Sequence, residues 1–270
     1  MSGKTLFTLP IDATGGNITV TEPADAVYLL TFTSGPDNRL HSDFLQAFLL
    51  ALDILEYKYP HGVVISTSGI PKFYSNGLDL GHVAETPNFF PDSLLKLFAR
   101  LVSYPMPTVA WINGHGFAGG LLLAMHHDYR VFNPSRGFVC MNELDFGAPL
   151  NPALLGIFEA KLTPTTYRNV ILEAKRFNGP AALEAGIVDA LGGWEEVQKL
   201  VGERQLVTKP GSKVYGVLKQ QMYRQVIANH EGFDAQLAQE RINEAVRDKK
   251  RAEERERVED WEAKAGKAKL

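Results

Sequence analysis

The stretch that most restricts this chain is "PTVAWINGHGFAGGLLLAM", residues 107–125. A β-branched and aromatic apolar run enters a glycine cluster and leaves it as an apolar, helix-favouring run, the pattern of a strand, a tight turn and a helix. Gly114, Gly116 and Gly119 spell G-x-G-x-x-G, with Gly120 directly behind. Glycines ahead of a helix let backbone N–H groups turn toward a ligand, and the helix N-terminus adds partial positive charge. Two anions suit such a place, a dinucleotide pyrophosphate or a developing oxyanion. The dinucleotide fingerprint opens the first strand–helix unit and has an acidic residue about 20 positions on. Here a strand, a helix and a second strand precede the turn, and Glu143 follows Gly119 by 24 residues. The spacing is passable and the position poor.

Strand and helix patterns alternate through the first 150 residues, which makes the fold class α/β. "AVYLLTFTS" (26–34) reads as a strand, and "SDFLQAFLLALDILEYKY" as an amphipathic helix capped by Ser42 or Asp43. "GVVIST" (62–67) is a second strand, a helix is expected over 92–103, and "TVAWI" (108–112) is a buried strand. "YRVF" and "GFVCM" are short strands, and from Asn151 the pattern turns helical. The expected organisation is a core over 1–205 and a helical appendage over 206–270, its last part solvated and laced with i,i+4 charge pairs.

Composition excludes several classes. A formal charge of −3 supplies no basic field for nucleic acid or a membrane surface. No run approaches 18 apolar residues, and the N-terminus lacks the apolar core of a secretory leader. The single cysteine, Cys140, cannot form an intrachain disulfide and reads as a small buried apolar residue of a reducing compartment. His126, His127 and Asp128 are consecutive, so on a helix they point to different faces and cannot share a metal; no metal site is expected. No G-x-S-x-G elbow is present.

An oxyanion needs more than one donor, and "KFYSNGLDL" (72–80) offers a second loop. Gly77 permits an unusual backbone angle there, and the Leu78 N–H is placed to point the same way. Together, "KFYSNGLDL", "NGHGFAGGLLLAMHHDYRVF", "MNELDFG" and "FNGPAALEAGIVD" resemble the crotonase, or enoyl-CoA hydratase/isomerase, superfamily, in that family's order. The resemblance spans roughly residues 26–190. It implies a crotonase-like spiral of ββα turns with a C-terminal helical region, assembled as a homotrimer or a dimer of trimers. It implies an acyl-CoA thioester substrate whose carbonyl is held by the Leu78 and Gly119 N–H groups.

Within that family the carboxylates separate the chemistries. The resemblance places a hydratase glutamate three residues after the second oxyanion glycine, where this chain has Leu122, and another about 20 residues on, filled by Glu143. The aspartate that marks dienoyl-CoA isomerases falls at Asn151. A leucine facing a lone glutamate, with "N-E" and "DYR" sequences nearby, resembles the Δ3,Δ2-enoyl-CoA isomerases; the alternatives are another crotonase-family enzyme, a hydratase or specialised acyl-CoA isomerase, and a non-catalytic acyl-CoA-binding protein. Glu143 is then the expected catalytic base, and Lys72, Asn76, Gly77, His115, Gly120, Leu122 and Asn151 the expected substrate-binding residues. Lys72 and Arg39 are expected to meet CoA phosphates, and Asp145 to support the glutamate or to serve only its turn. No cofactor is expected, since CoA is part of the substrate. The C-terminal Ala268-Lys269-Leu270 is a close variant of the S-K-L peroxisomal address, implying an import receptor as partner.

Overall fold

The computed structural model describes residues 3–267, so the Ala268-Lys269-Leu270 address lies outside the described residues. By chain contacts, residues up to Glu231 form one compact unit and residues from Gly232 a second, with 206–231 in the first.

The first unit is built on two sheets. β1 (Lys4–Ile11), β2 (Gly16–Ala24) and β3 (Val27–Thr33) run antiparallel, and β3 continues in parallel into β4 (Val63–Ser68), β6 (Thr108–Ile112), β8 (Tyr129–Phe132) and β10 (Ala190–Leu191). The second sheet is small and wholly parallel: β5 (Phe73–Ser75), β7 (His115–Phe117) and β9 (Val139–Cys140). Each long strand from β4 to β8 is therefore followed by a short one in the other sheet. Parallel neighbours require crossovers, which helices supply. They are α1 (Ser42–Lys58), α2 (Leu80–Glu85), α3 (Leu95–Ser103), α4 (Gly119–Met125) and α5 (Pro152–Lys161). The result is a repeated strand–strand–helix unit.

The large sheet is covered on both faces, which explains why "VVIS" and "TVAWI" are buried throughout and mostly apolar rather than alternating. On one side α1 brings Phe44 against Phe32, ring centroids 5.2 Å apart and edge to face. On the other, Val197, Leu200 and Val201 pack over Val63, Ile65, Val109 and Val131. These three come from α8 (Trp194–Glu203), which follows α6 (Pro164–Leu172) and α7 (Gly179–Glu184).

Several expectations shift by a residue or two, and some change in kind. The cap of α1 is His41, whose Nδ1 accepts from the Phe44 N–H at 3.4 Å, not Ser42 or Asp43. The helix expected over 92–103 begins as a wider turn at Phe90–Leu94 and becomes α-helical only at Leu95. The N-terminal hairpin, β5 and β7 were not expected as strands. β5 and β7 are too short and too rich in turn residues to show a period of two, and only pairing with each other makes them strands.

Helices α9 (Tyr215–Met222) and α10 (Arg224–Glu231) close the first unit. Lys219 of α9 reaches inward, donating to Asp128 at 2.9 Å and to the Leu101 carbonyl at 2.8 Å. The second unit is α11 (Phe233–Lys267), about 50 Å long at 1.5 Å per residue. Pairs such as Lys250–Glu254 and Arg251–Asp248 run along it at the expected spacing.

Candidate active site

The three short parallel strands set the geometry. β5 ends at Ser75, β7 at Phe117 and β9 at Cys140, and the residues just beyond each end line one cavity of about 250 Å³. Leu78 comes from the first loop, Gly119 from the second and Glu143 from the third. In parallel sheets the loops leaving the carboxyl ends of strands are where ligands bind.

The backbones of the first two loops approach each other closely there. A Cβ built on Gly119 would sit 3.3 Å from the Leu78 nitrogen, and one on Gly77 would sit 3.2 Å from the Gly119 nitrogen. The neighbours of the Leu78 amide are engaged: Gly77 N–H donates to Ser75 Oγ at 3.2 Å and Asp79 N–H to the Leu40 carbonyl at 3.1 Å. Gly119 opens α4, so its N–H has no carbonyl one turn back within that helix. Both loops depend on positive φ. Gly77 takes +86°, which suits glycine. Ala118 takes φ +50° and ψ −121°, a sparsely populated conformation for a residue with a Cβ, and it turns the 118–119 peptide ahead of α4. No sequence signal marks Ala118, because alanine ordinarily prefers the helix that follows it.

Glu143 begins a short 3₁₀ turn and is 8% exposed. Its Oε2 has no hydrogen-bond partner among the described residues, and burial pushes its carboxyl up to about 7. A carboxylate that is desolvated and unpartnered is a stronger base than one in water. Leu122, in the first turn of α4, is 1% exposed and also lines the cavity. Leu80 and Val83 of α2, Phe90 and Leu154 complete an apolar wall, and Asn142 stands beside the glutamate.

The remaining expected residues divide. Asn76 lines the cavity, with its Nδ2 donating to Asp37 at 2.6 Å. Gly77 shapes the first loop. Gly120 serves close packing, since a Cβ there would come within 2.3 Å of the Ser75 carbonyl oxygen. Asn151 caps α5, accepting from the Leu154 N–H at 3.2 Å. Lys72 and His115 lie at the opposite, N-terminal ends of β5 and β7, beside a separate depression with Pro71, Arg136 and Gly137. The structure does not bring those two to the cavity. Arg39 does line it, and donates from Nη1 to the Leu78 carbonyl at 3.1 Å. In the sequence only its charge marks Arg39. The adjacent histidines part company: His126 donates to the Leu122 carbonyl and stacks on Phe98, whereas His127 bonds Ser66 Oγ at 2.8 Å. No three His, Cys, Asp or Glu side chains among the described residues are grouped to hold a metal.

Residues 22–262 match the profile of the enoyl-CoA hydratase/isomerase family. The chain belongs to that family. Enoyl-CoA delta isomerase 3 of Arabidopsis thaliana is 32% identical over 210 residues, covering 73% of this chain and 88% of the relative. Enoyl-CoA delta isomerase 2, peroxisomal, of the same plant is 30% identical over 212 residues, with the same coverage of 73% and 88%. The crystal structure of human mitochondrial delta3-delta2-enoyl-CoA isomerase superposes with a TM-score of 0.72 at 26% identity, covering 82% of this chain and 89% of that one. The expected crotonase-like spiral is thus the fold. As an enoyl-CoA hydratase/isomerase family member the chain carries one cavity carboxylate, Glu143, and an apolar Leu122 where the hydratase pattern calls for a second.

Proposed function

We propose that the chain is a Δ3,Δ2-enoyl-CoA isomerase that shifts the double bond of an acyl-CoA during fatty-acid β-oxidation. The observation that carries this reading is the lone buried carboxylate of Glu143 sharing a cavity with the Leu78 and Gly119 amides and with an apolar Leu122. An α-proton of a thioester is too weakly acidic for a carboxylate in water, so the enolate must be stabilised as it forms. Two N–H donors on the carbonyl oxygen supply that, each worth about 3 kcal/mol in such sites. Glu143 takes a proton from C2 of the 3-enoyl thioester, the negative charge moves to the thioester oxygen, and the same carboxyl returns a proton to C4. The double bond then lies between C2 and C3. One base suffices because both carbons present the same face. Leu122 keeps water from the double bond, which favours isomerisation over hydration. The chemistry calls for no metal and no redox cofactor.

The deciding experiment compares substrates on the purified chain. Turnover of a 3-enoyl-CoA, followed by the ultraviolet absorbance of the conjugated 2-enoyl product, is expected, with negligible hydration of a 2-enoyl-CoA. Hydration as the faster reaction overturns the assignment.

Two further parts of the proposal concern place and assembly. A peroxisomal location is supported by the peroxisomal relative and by the terminal Ala268-Lys269-Leu270. Loss of punctate localisation when Leu270 is removed from a fluorescent fusion tests it. A homotrimer, or a pair of stacked trimers, is supported by apolar side chains left open on α9, with Val217, Leu218 and Met222 between 55% and 65% exposed. Light scattering that gives a monomer mass of 29.8 kDa overturns that part.

A further inference from the structure

The loop that offers the Leu78 amide is gripped from one short segment, Asp37–Leu40. The Leu40 N–H donates to the Gly77 carbonyl at 2.8 Å. A peptide unit is planar and trans, so anchoring the Gly77 oxygen on one side aims the Leu78 N–H to the other, toward the cavity. The next peptide is held twice, by the Asp79 N–H on the Leu40 carbonyl at 3.1 Å and by Arg39 Nη1 on the Leu78 carbonyl at 3.1 Å. The guanidinium is itself oriented. Its Nε lies 3.3 Å from Asp37 Oδ2, and the same carboxylate oxygen accepts from Asn76 Nδ2 at 2.6 Å. A charge-assisted bond from a planar, pre-oriented donor holds a carbonyl more firmly than a neutral one does.

We propose that Arg39 is a positioning residue that keeps the Leu78 amide aimed at the thioester oxygen by holding the carbonyl of the same residue. The proposal rests on the reading of Leu78 and Gly119 as an oxyanion hole. Both peptide planes flanking the Leu78 Cα are pinned by Arg39 and Leu40. Without the guanidinium the second plane keeps only the Asp79 bond, and the Leu78 N–H gains angular freedom. The contribution of an oxyanion donor depends on its aim at the place where charge develops, so this freedom reduces kcat more than it reduces substrate binding. Arg39 is 42% exposed at its side chain, so truncation leaves no cavity in the core.

The test uses Arg39→Met, which keeps the apolar stem, and Arg39→Lys, which keeps the charge without the planar fork. The two readouts are steady-state kinetics on a 3-enoyl-CoA and the infrared carbonyl stretch of a bound 2-enoyl-CoA. Wild type is expected to lower the carbonyl stretch relative to free thioester, as two donors on one oxygen must. Arg39→Met is expected to lose about tenfold in kcat with KM within threefold and to move the stretch part of the way back; Arg39→Lys is expected to recover some of both. A tenfold-loosened KM that strengthens with falling salt, at unchanged kcat and unchanged stretch, makes Arg39 a phosphate anchor instead and overturns the proposal. So does Arg39→Met with wild-type kinetics and stretch. If wild type itself shows no lowered stretch, it is the oxyanion-hole reading that fails, which separates the two.

Discussion

Replacing Glu143 by Gln should remove catalysis and stabilise the fold, and the two effects share one cause. Burial lifts the carboxyl from its ordinary value of 4.5 to about 7. At about 1.4 kcal/mol per pH unit, that gap is about 3 kcal/mol. The folded chain holds this proton more tightly than the unfolded chain does. Stability therefore falls as pH rises from about 4.5 to about 7, and the full penalty is present above that window. Gln cannot ionise and keeps nearly the same shape. At pH 8 the variant should be more stable by up to about 3 kcal/mol, and near pH 4 the difference should vanish. In a chain of this size each kcal/mol moves the melting midpoint by about 2–4 °C, so a rise of up to about 6–12 °C is expected at pH 8. Meanwhile kcat on a 3-enoyl-CoA should fall at least about 100-fold, the scale of a missing general base. In wild type, kcat/KM should rise with pH along an acid limb centred near 7. Melting curves from pH 4 to 8 and initial rates over the same range check all of this. A stability difference that does not change with pH, or a Gln variant that still turns over substrate at the wild-type rate, refutes the reasoning.

Three other perturbations follow from the same geometry. Gly77→Ala forces a Cβ onto φ +86°, 3.0 Å from the Ala118 Cβ and the Phe117 carbonyl oxygen, at a cost of about 1–3 kcal/mol; kcat should fall at least tenfold by initial rates, and unchanged turnover would show that the Leu78 loop does not matter. Leu122→Glu places a second carboxyl in the cavity and should introduce hydration of a 2-enoyl-CoA, read as loss of conjugated absorbance, while lowering the melting midpoint at neutral pH; no hydration above background would mean that more than one side chain separates the two chemistries. Lys219→Met leaves Asp128 buried without its ammonium partner, with side chains only 5% and 9% exposed in the native pair, and should cost about 3–5 kcal/mol in urea unfolding. Adding Asp128→Asn should recover part of that loss, and a purely additive double variant would argue against the pair.

The α/β class was readable because β3, β4, β6 and α1 carry long, strongly patterned runs whose burial dominates their local preferences. The candidate site is legible for a different reason. Gly77, Gly119 and Glu143 sit just beyond short strands, in a loop or at the first residue of a helical turn, where only certain residue types work, and a resemblance across four motifs orders them. What stayed hidden was held by tertiary pairing. Three-residue strands such as β5 and β7 have no period of their own, and the bent alanine at 118 is fixed by its neighbours against its own preference. Lys72 and His115 show the opposite failure. Each lies inside one of the motifs in sequence, but a strand has two ends, and these two occupy the end away from the cavity.

That polarity explains why three separated motifs can build one site at all. Leu78, Gly119 and Glu143 each follow the end of a strand by two or three residues, and the three strands are hydrogen-bonded neighbours in the order β5, β7, β9. Paired strands lie about 4.8 Å apart. Two N–H donors bonded to one oxygen at about 2.9 Å each stand at most about 5.8 Å from one another, so neighbouring strand ends supply the separation an oxyanion hole needs. Glu143 follows the third strand, one spacing further along, which is where the proposed mechanism needs its base. In the proposed mechanism the spacing of the two amides and the base thus comes from backbone pairing in a sheet of three short strands, and the walls of the cavity are free to vary independently. It also locates the sensitive point: a change that tilts β7 relative to β5 should disable the enzyme while leaving Glu143 buried and perturbed as before.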